Sequence, residues 1–147
     1  MCYFSAGSVD NWRPDYSQFQ PADMGNDQAG WPGQKWANIK NQNVWKINQA
    51  RIQLAATKGC DAIDPDNMDG YNNDNGVGLT EQDSITYFQY LAGEAKKLNL
   101  SIGLKNGLAI LPSVASYAQF AVNEKCVEFN ECDKYSDFLA SKPVFHI

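Results

Sequence analysis

Short apolar runs alternate with longer segments whose apolar residues recur every three or four positions. The short runs lie near Tyr3, Trp36, Ile63, Ile102, Ala121 and Phe145, and each reads as a strand. Residues 43–58 place Val44, Ile47, Ala50, Ile52, Leu54 and Ala55 at helical spacing, with Gly59 as the stop. Thr80 is a good N-cap, and Asp83 completes a box-like start for a helix through about Leu98. Its stripe is Ile85, Phe88, Leu91, Ala92 and Ala95. Shorter helices are predicted at 108–117 and 134–140. Residues 8–33, punctuated by Pro14, Pro21 and Pro32, read as a long loop over a scaffold rather than part of it. Residues 68–80 read as a second polar loop.

Strands that alternate with helices argue for parallel βα units. A (β/α)8 TIM-type barrel needs eight strands and at least about 200 residues. The chain has 147 residues and six predicted strands, and both of its ends fall inside strands. The reading is a single partial α/β barrel domain over residues 1–147. It lacks the N-terminal strands and the end of the last unit. A complete six-stranded open α/β sheet is the alternative.

Two of the apolar runs end in acids. One is Asp61-Ala62-Ile63-Asp64-Pro65-Asp66-Asn67; the other is Phe120-Ala121-Val122-Asn123-Glu124. A βα unit presents its catalytic groups where the strand runs out. Two acids on neighbouring strands suit glycoside hydrolysis, which needs one carboxyl as proton donor and one carboxylate as nucleophile or base. Side chains two apart on a strand share a face, so Asp64 and Asp66 both qualify. Asp61 reads as a structural residue at the strand start. Lys105 ends the run Ile102-Gly103-Leu104 and is placed to hold a carboxylate ionised or to bind a sugar hydroxyl. Asn67, Asn106 and Asn123 are candidates for sugar hydroxyls, and Trp31, between Gly30 and Pro32, for stacking on a sugar ring. Tyr3, Tyr71 and His146 also fall at strand ends or in the upper loops. Each of these residues has a plainer reading as a turn, a loop anchor or a structural ion pair.

Composition narrows the partner. The net charge of −5 disfavours nucleic acid and anionic membranes. No run of about 18 apolar residues exists to span a bilayer. The first residues carry no secretory signal. Four cysteines and a single histidine, without paired ligand spacing, argue against zinc and leave no cofactor to expect. Cys126 and Cys132, close together in a polar acidic segment, are predicted to form a local disulfide; two free thiols are the alternative. Cys2 and Cys60 are left unpaired, since the sequence does not say whether their strands adjoin.

Seven motifs stand in one order along the chain. They are Cys2-Tyr3-Phe4-Ser5-Ala6-Gly7-Ser8, Gly30-Trp31-Pro32-Gly33, Lys58-Gly59-Cys60-Asp61-Ala62, Asp64-Pro65-Asp66-Asn67, Gly103-Leu104-Lys105-Asn106, Ala121-Val122-Asn123-Glu124 and Pro143-Val144-Phe145-His146-Ile147. In this the chain resembles glycoside hydrolase family 114, the endo-α-1,4-polygalactosaminidases, and most closely their fungal members. The resemblance implies a (β/α)8 barrel, secretion and cleavage of a cationic, α-1,4-linked galactosamine polymer. It maps the nucleophile onto Asp66, with Asp64 as the alternative, and the acid/base onto Glu124. Family members carry two further strands before the segment matched by Cys2 to Gly7. A non-catalytic carbohydrate-binding remnant and a truncated gene product without activity are the competing readings.

Overall fold

The computed structural model describes residues 1–147. Strands β1 (Cys2–Ser5), β2 (Ser8–Asp10), β3 (Met24–Asp27) and β4 (Gln34–Ala37) come before helix α1 (Gln42–Thr57). Then follow strand β5 (Ala62–Asp66), helix α2 (Glu81–Lys97), strand β6 (Ser101–Lys105), helix α3 (Leu111–Val114), strand β7 (Phe120–Asn123), helix α4 (Ser136–Leu139) and strand β8 (Val144–His146).

The sheet order is β1-β5-β6-β7-β8, and every pair within it is parallel. This is an open segment of barrel wall with five strands, not the six predicted. The difference is β4. The apolar signal around Trp36 marks a strand, but that strand pairs antiparallel with β2 and β3 in a separate three-stranded sheet. Residues 8–33 are therefore not only a loop, because they contribute β2 and β3 to this flap. Proline and glycine obscured strands only three or four residues long. The flap is tied to the 68–80 segment: the Asn26 amide nitrogens donate to Asn75 O at 2.9 Å and to Asp74 Oδ1 at 2.9 Å.

Helices α1 and α2 cover the outer face of the sheet. Val44, Ile47, Ile52 and Ala55 of α1 are buried, as are Phe88, Leu91, Ala92 and Ala95 of α2. Thr80 caps α2: its hydroxyl accepts from Asp83 N, and the Asp83 carboxylate accepts from Thr80 N. Such a box satisfies two backbone donors that the first helical turn leaves free. Between the helices Trp45 lies against Tyr90, with ring centroids 4.5 Å apart.

Helix side chains also satisfy the end of β1. Tyr87 donates its hydroxyl hydrogen to Ala6 O at 3.0 Å, and Arg51 Nη1 donates to Ser5 O at 2.7 Å. Arg51 further clamps Asp15 through Nε and Nη2, which holds the Asp15 carboxyl below its ordinary pKa. Both cysteine pairs are disulfides. The expected Cys126–Cys132 bridge is present, and Cys2 is bonded to Cys60. The second bridge was not legible because it depends on β1 lying beside β5, a pairing of residues about sixty apart with Cys2 opposite Ile63.

Candidate active site

Four neighbouring strands each deliver one polar side chain to the C-terminal rim of the sheet. Tyr3 comes from β1, Asp66 from the last position of β5, Lys105 from the last position of β6, and Glu124 from the residue after β7. Tyr3 donates its hydroxyl hydrogen to Asp66 Oδ2 at 2.7 Å. Lys105 Nζ lies 3.2 Å from that oxygen and 3.4 Å from Glu124 Oε1. One ammonium therefore bridges two carboxylates. Lys105 is only 5% exposed, and burial opposes its charge; Asp66 and then Glu124 outweigh that, so its pKa rises above the ordinary lysine value. The Tyr3 ring also faces Lys105 Nζ at 5.1 Å. Burial, followed by the Asp66 hydrogen bond, pushes the Tyr3 hydroxyl well above the ordinary tyrosine pKa, so it stays a donor.

Left-handed asparagines finish the strands. Asn67, at φ 61°, lets its own N–H reach Asp66 Oδ1 at 2.7 Å and its side chain reach Ser5 Oγ at 2.6 Å. Asn106, at φ 52°, donates through Nδ2 to Glu124 Oε2 at 3.0 Å and accepts from Glu124 N at 2.9 Å. Asparagine tolerates this backbone region better than other non-glycine residues. Both acids are thus fixed from at least two directions. Gly7 matters to the first: a Cβ there would meet Asn67 O at 1.7 Å, and both Ala6 N and Gly7 N donate to Asp66 O.

Asp64 lies deeper on the same face of β5. It is 5% exposed, one of its oxygens is buried without a hydrogen-bond partner, and it does not line the cleft. Burial raises its pKa to about 6; Lys105 pulls it down, while Asp66 and Glu124 push it up. Burial also raises Asp69.

The cleft has two lobes that share Trp31, Asp69, Asn106 and Glu124. The lobe of about 610 Å³ holds Tyr3, Asp66, Asn67 and Lys105, with Asp27, Gln28 and Trp36 from the flap. The lobe of about 1030 Å³ holds Tyr71, Phe129 and Tyr135. Of the residues singled out in the sequence, Tyr3, Trp31, Asp66, Asn67, Tyr71, Lys105, Asn106 and Glu124 therefore line the cleft. Trp31 is 64% exposed there, as a stacking surface needs to be.

Asn123 departs from expectation, whereas Asp61 stands at the strand start as read. Asn123 is 1% exposed and turns inward to donate to Tyr135 Oη at 3.0 Å, because successive strand residues face opposite ways and Glu124 takes the cleft. Asp61 is exposed at the opposite end of the sheet, where its carbonyl accepts from Ser101 N. The flap residues and Phe129 were missed, since nothing local connects them to the two acids. Cys126, Cys132 and His146 place ligand atoms within 4.8 Å of one another, but the two sulfurs are spent on their disulfide.

The arrangement is two carboxyl groups around one cation at the mouth of a parallel sheet, in a long acidic cleft edged by aromatic rings. The crystal structure of Aspergillus fumigatus Ega3 in complex with galactosamine is similar to this chain at 53% identity and a TM-score of 0.97. The match covers 99% of this chain and 58% of that one, so the chain spans less than two thirds of its relative's length. The glycoside hydrolase domain of PelA from Pseudomonas aeruginosa shares the fold at 12% identity and a TM-score of 0.65, over 97% of this chain and 64% of that one. No curated protein sequence matches significantly. The family model of glycoside-hydrolase family GH114 matches residues 1–147, and the chain belongs to that family.

Proposed function

We propose that this chain carries the catalytic centre of a hydrolase that cleaves α-1,4-linked galactosamine polymers with two carboxyl groups and retention of configuration. The observation that carries the reading is the Lys105 bridge. Its two distances, 3.2 Å and 3.4 Å, cap the separation of Asp66 Oδ2 from Glu124 Oε1 at about 6.6 Å. That favours the retaining spacing of about 5–5.5 Å over the inverting range of about 6.5–9.5 Å. The relative crystallised with galactosamine supports the substrate class.

In this mechanism Asp66, held in place by Tyr3, Lys105 and the Asn67 N–H, attacks the anomeric carbon as Glu124 gives its proton to the departing glycosidic oxygen. The ester on Asp66 is then opened by water, whose proton returns to Glu124. Asp64 is too deep to attack and serves beneath the pair. The acids Asp27, Asp66, Asp69, Asp74 and Glu124 around the cleft outnumber the single Lys105 in its smaller lobe, which suits a cationic polymer. The 147 residues form one part of a single barrel domain, in keeping with the open five-stranded sheet and the longer relative. Two disulfides accord with secretion. No helix is long and apolar enough to cross a membrane.

Release of reducing ends from partly deacetylated α-1,4-galactosaminan, compared with its fully N-acetylated form, tests the reading. Cleavage of the deacetylated polymer should dominate, and the difference should shrink with salt, which screens charge over about 8 Å at physiological ionic strength. Asp66→Asn and Glu124→Gln should each lower the rate at least about 100-fold. Binding without cleavage would instead identify a carbohydrate-binding module, and full activity in Glu124→Gln would remove the acid/base assignment.

A further inference from the structure

After β7 the chain makes a short loop from which two apolar side chains project: Val127 is 86% exposed and Phe129 62%. The loop is firmly built. Phe129 N donates to Lys125 O at 3.1 Å, Asn130 N to Val127 O at 3.3 Å, and Glu131 N to Cys126 O at 2.9 Å. The Cys126–Cys132 disulfide closes its base, with the two Cα atoms 4.9 Å apart. Val127 lines no part of the cleft. Phe129 lines the larger lobe together with Glu124 and Trp31.

The two lobes are not equivalent. Asp66 lines only the smaller one, whereas Glu124 lines both. The sugar attacked by the nucleophile must lie on the Asp66 side. The sugar whose oxygen receives the Glu124 proton leaves on the other side, into the lobe that contains Phe129. That lobe also faces Lys125 and Lys134, so it is less acidic than its neighbour and less suited to holding a sugar by its amine charge. An aromatic face binds the apolar C–H face of a pyranose without needing that charge.

We propose that Phe129 is the stacking platform for the leaving-side hexosamine, held in place by the Cys126–Cys132 loop. This rests on the galactosaminidase reading and adds a specificity residue to it. The leaving-side sugar is recognised by its ring, and an N-acetyl group there is tolerated.

The test uses the purified chain and its Phe129→Ala and Phe129→Trp variants. A galactosamine disaccharide added during polymer cleavage enters the leaving side and takes the glycosyl group from Asp66 through its own hydroxyl, whose proton passes to Glu124. Phe129→Ala should lower the ratio of transfer to hydrolysis five- to tenfold and raise KM with little change in kcat. Phe129→Trp should restore both. An unchanged ratio and KM in Phe129→Ala overturn the proposal, as does an equal loss in kcat alone. If the parent chain cleaves nothing, the hydrolase reading fails separately. Calorimetry of a galactosamine tetrasaccharide on the Glu124→Gln chain then decides: binding at least fivefold weaker on adding Phe129→Ala upholds the platform, and equal binding overturns it.

Discussion

Asp64 shows what a carboxyl loses by sitting one layer below the Asp66–Glu124 pair. Its burial raises the pKa from 3.8 to about 6. Between those values the folded chain holds the proton more tightly than the unfolded chain does. Stability from this group is therefore greatest below about pH 4 and falls as pH rises through 6. With allowance for water at its less buried oxygen, the cost at neutral pH is up to about 2 kcal/mol. Asp64→Asn should raise Tm by about 5 °C at pH 7.5 and leave it unchanged at pH 4; equal shifts at both values would mean that ionisation of Asp64 is not the cause. Asp66, Lys105 and Glu124 were legible because each closes an apolar run, and the rim of a parallel sheet is where such runs end. Asn123 closes the same run as Glu124, one position earlier. The two-residue strand period settles which of them faces the cleft, and its phase is set by packing that the sequence does not display.

Helices α1 and α2 were readable to within a residue or two, since spacing and caps are local properties. The Thr80–Asp83 box is the plainest case. The flap was not readable, because strands three or four residues long carry too few alternations to be told from loop. The disulfides divide in the same way. A separation of 6 is visible in the sequence, whereas one of 58 needs the fold. Loop-closure entropy makes the longer ring the more stabilising, at about 4 kcal/mol against about 2. Thermal melts of paired serine variants should rank accordingly. Cys2→Ser with Cys60→Ser should lower Tm by about 10 °C, roughly twice the effect of Cys126→Ser with Cys132→Ser. The reverse order would mean that the loop after β7 is worth more to the native state than chain entropy allows.

In the assembled molecule, the five parallel strands and the flap meet around the cleft, and alternation of strand and helix was enough to foresee the barrel wall. The number of strands in that wall was not foreseeable, because Trp36 looks the same in either sheet. The Cys2–Cys60 bond has a further, mechanical consequence. A pull applied at Met1 reaches Cys60 through sulfur and bypasses β1, the flap and all of α1. The ring of 58 residues is thereby shielded from tension, with about 200 Å of contour length in reserve. Stretched by its two ends, a single molecule should yield that length as an extra extension step only when a reductant is present. Without it, the flap over the cleft remains folded while the strands beyond Cys60 peel away.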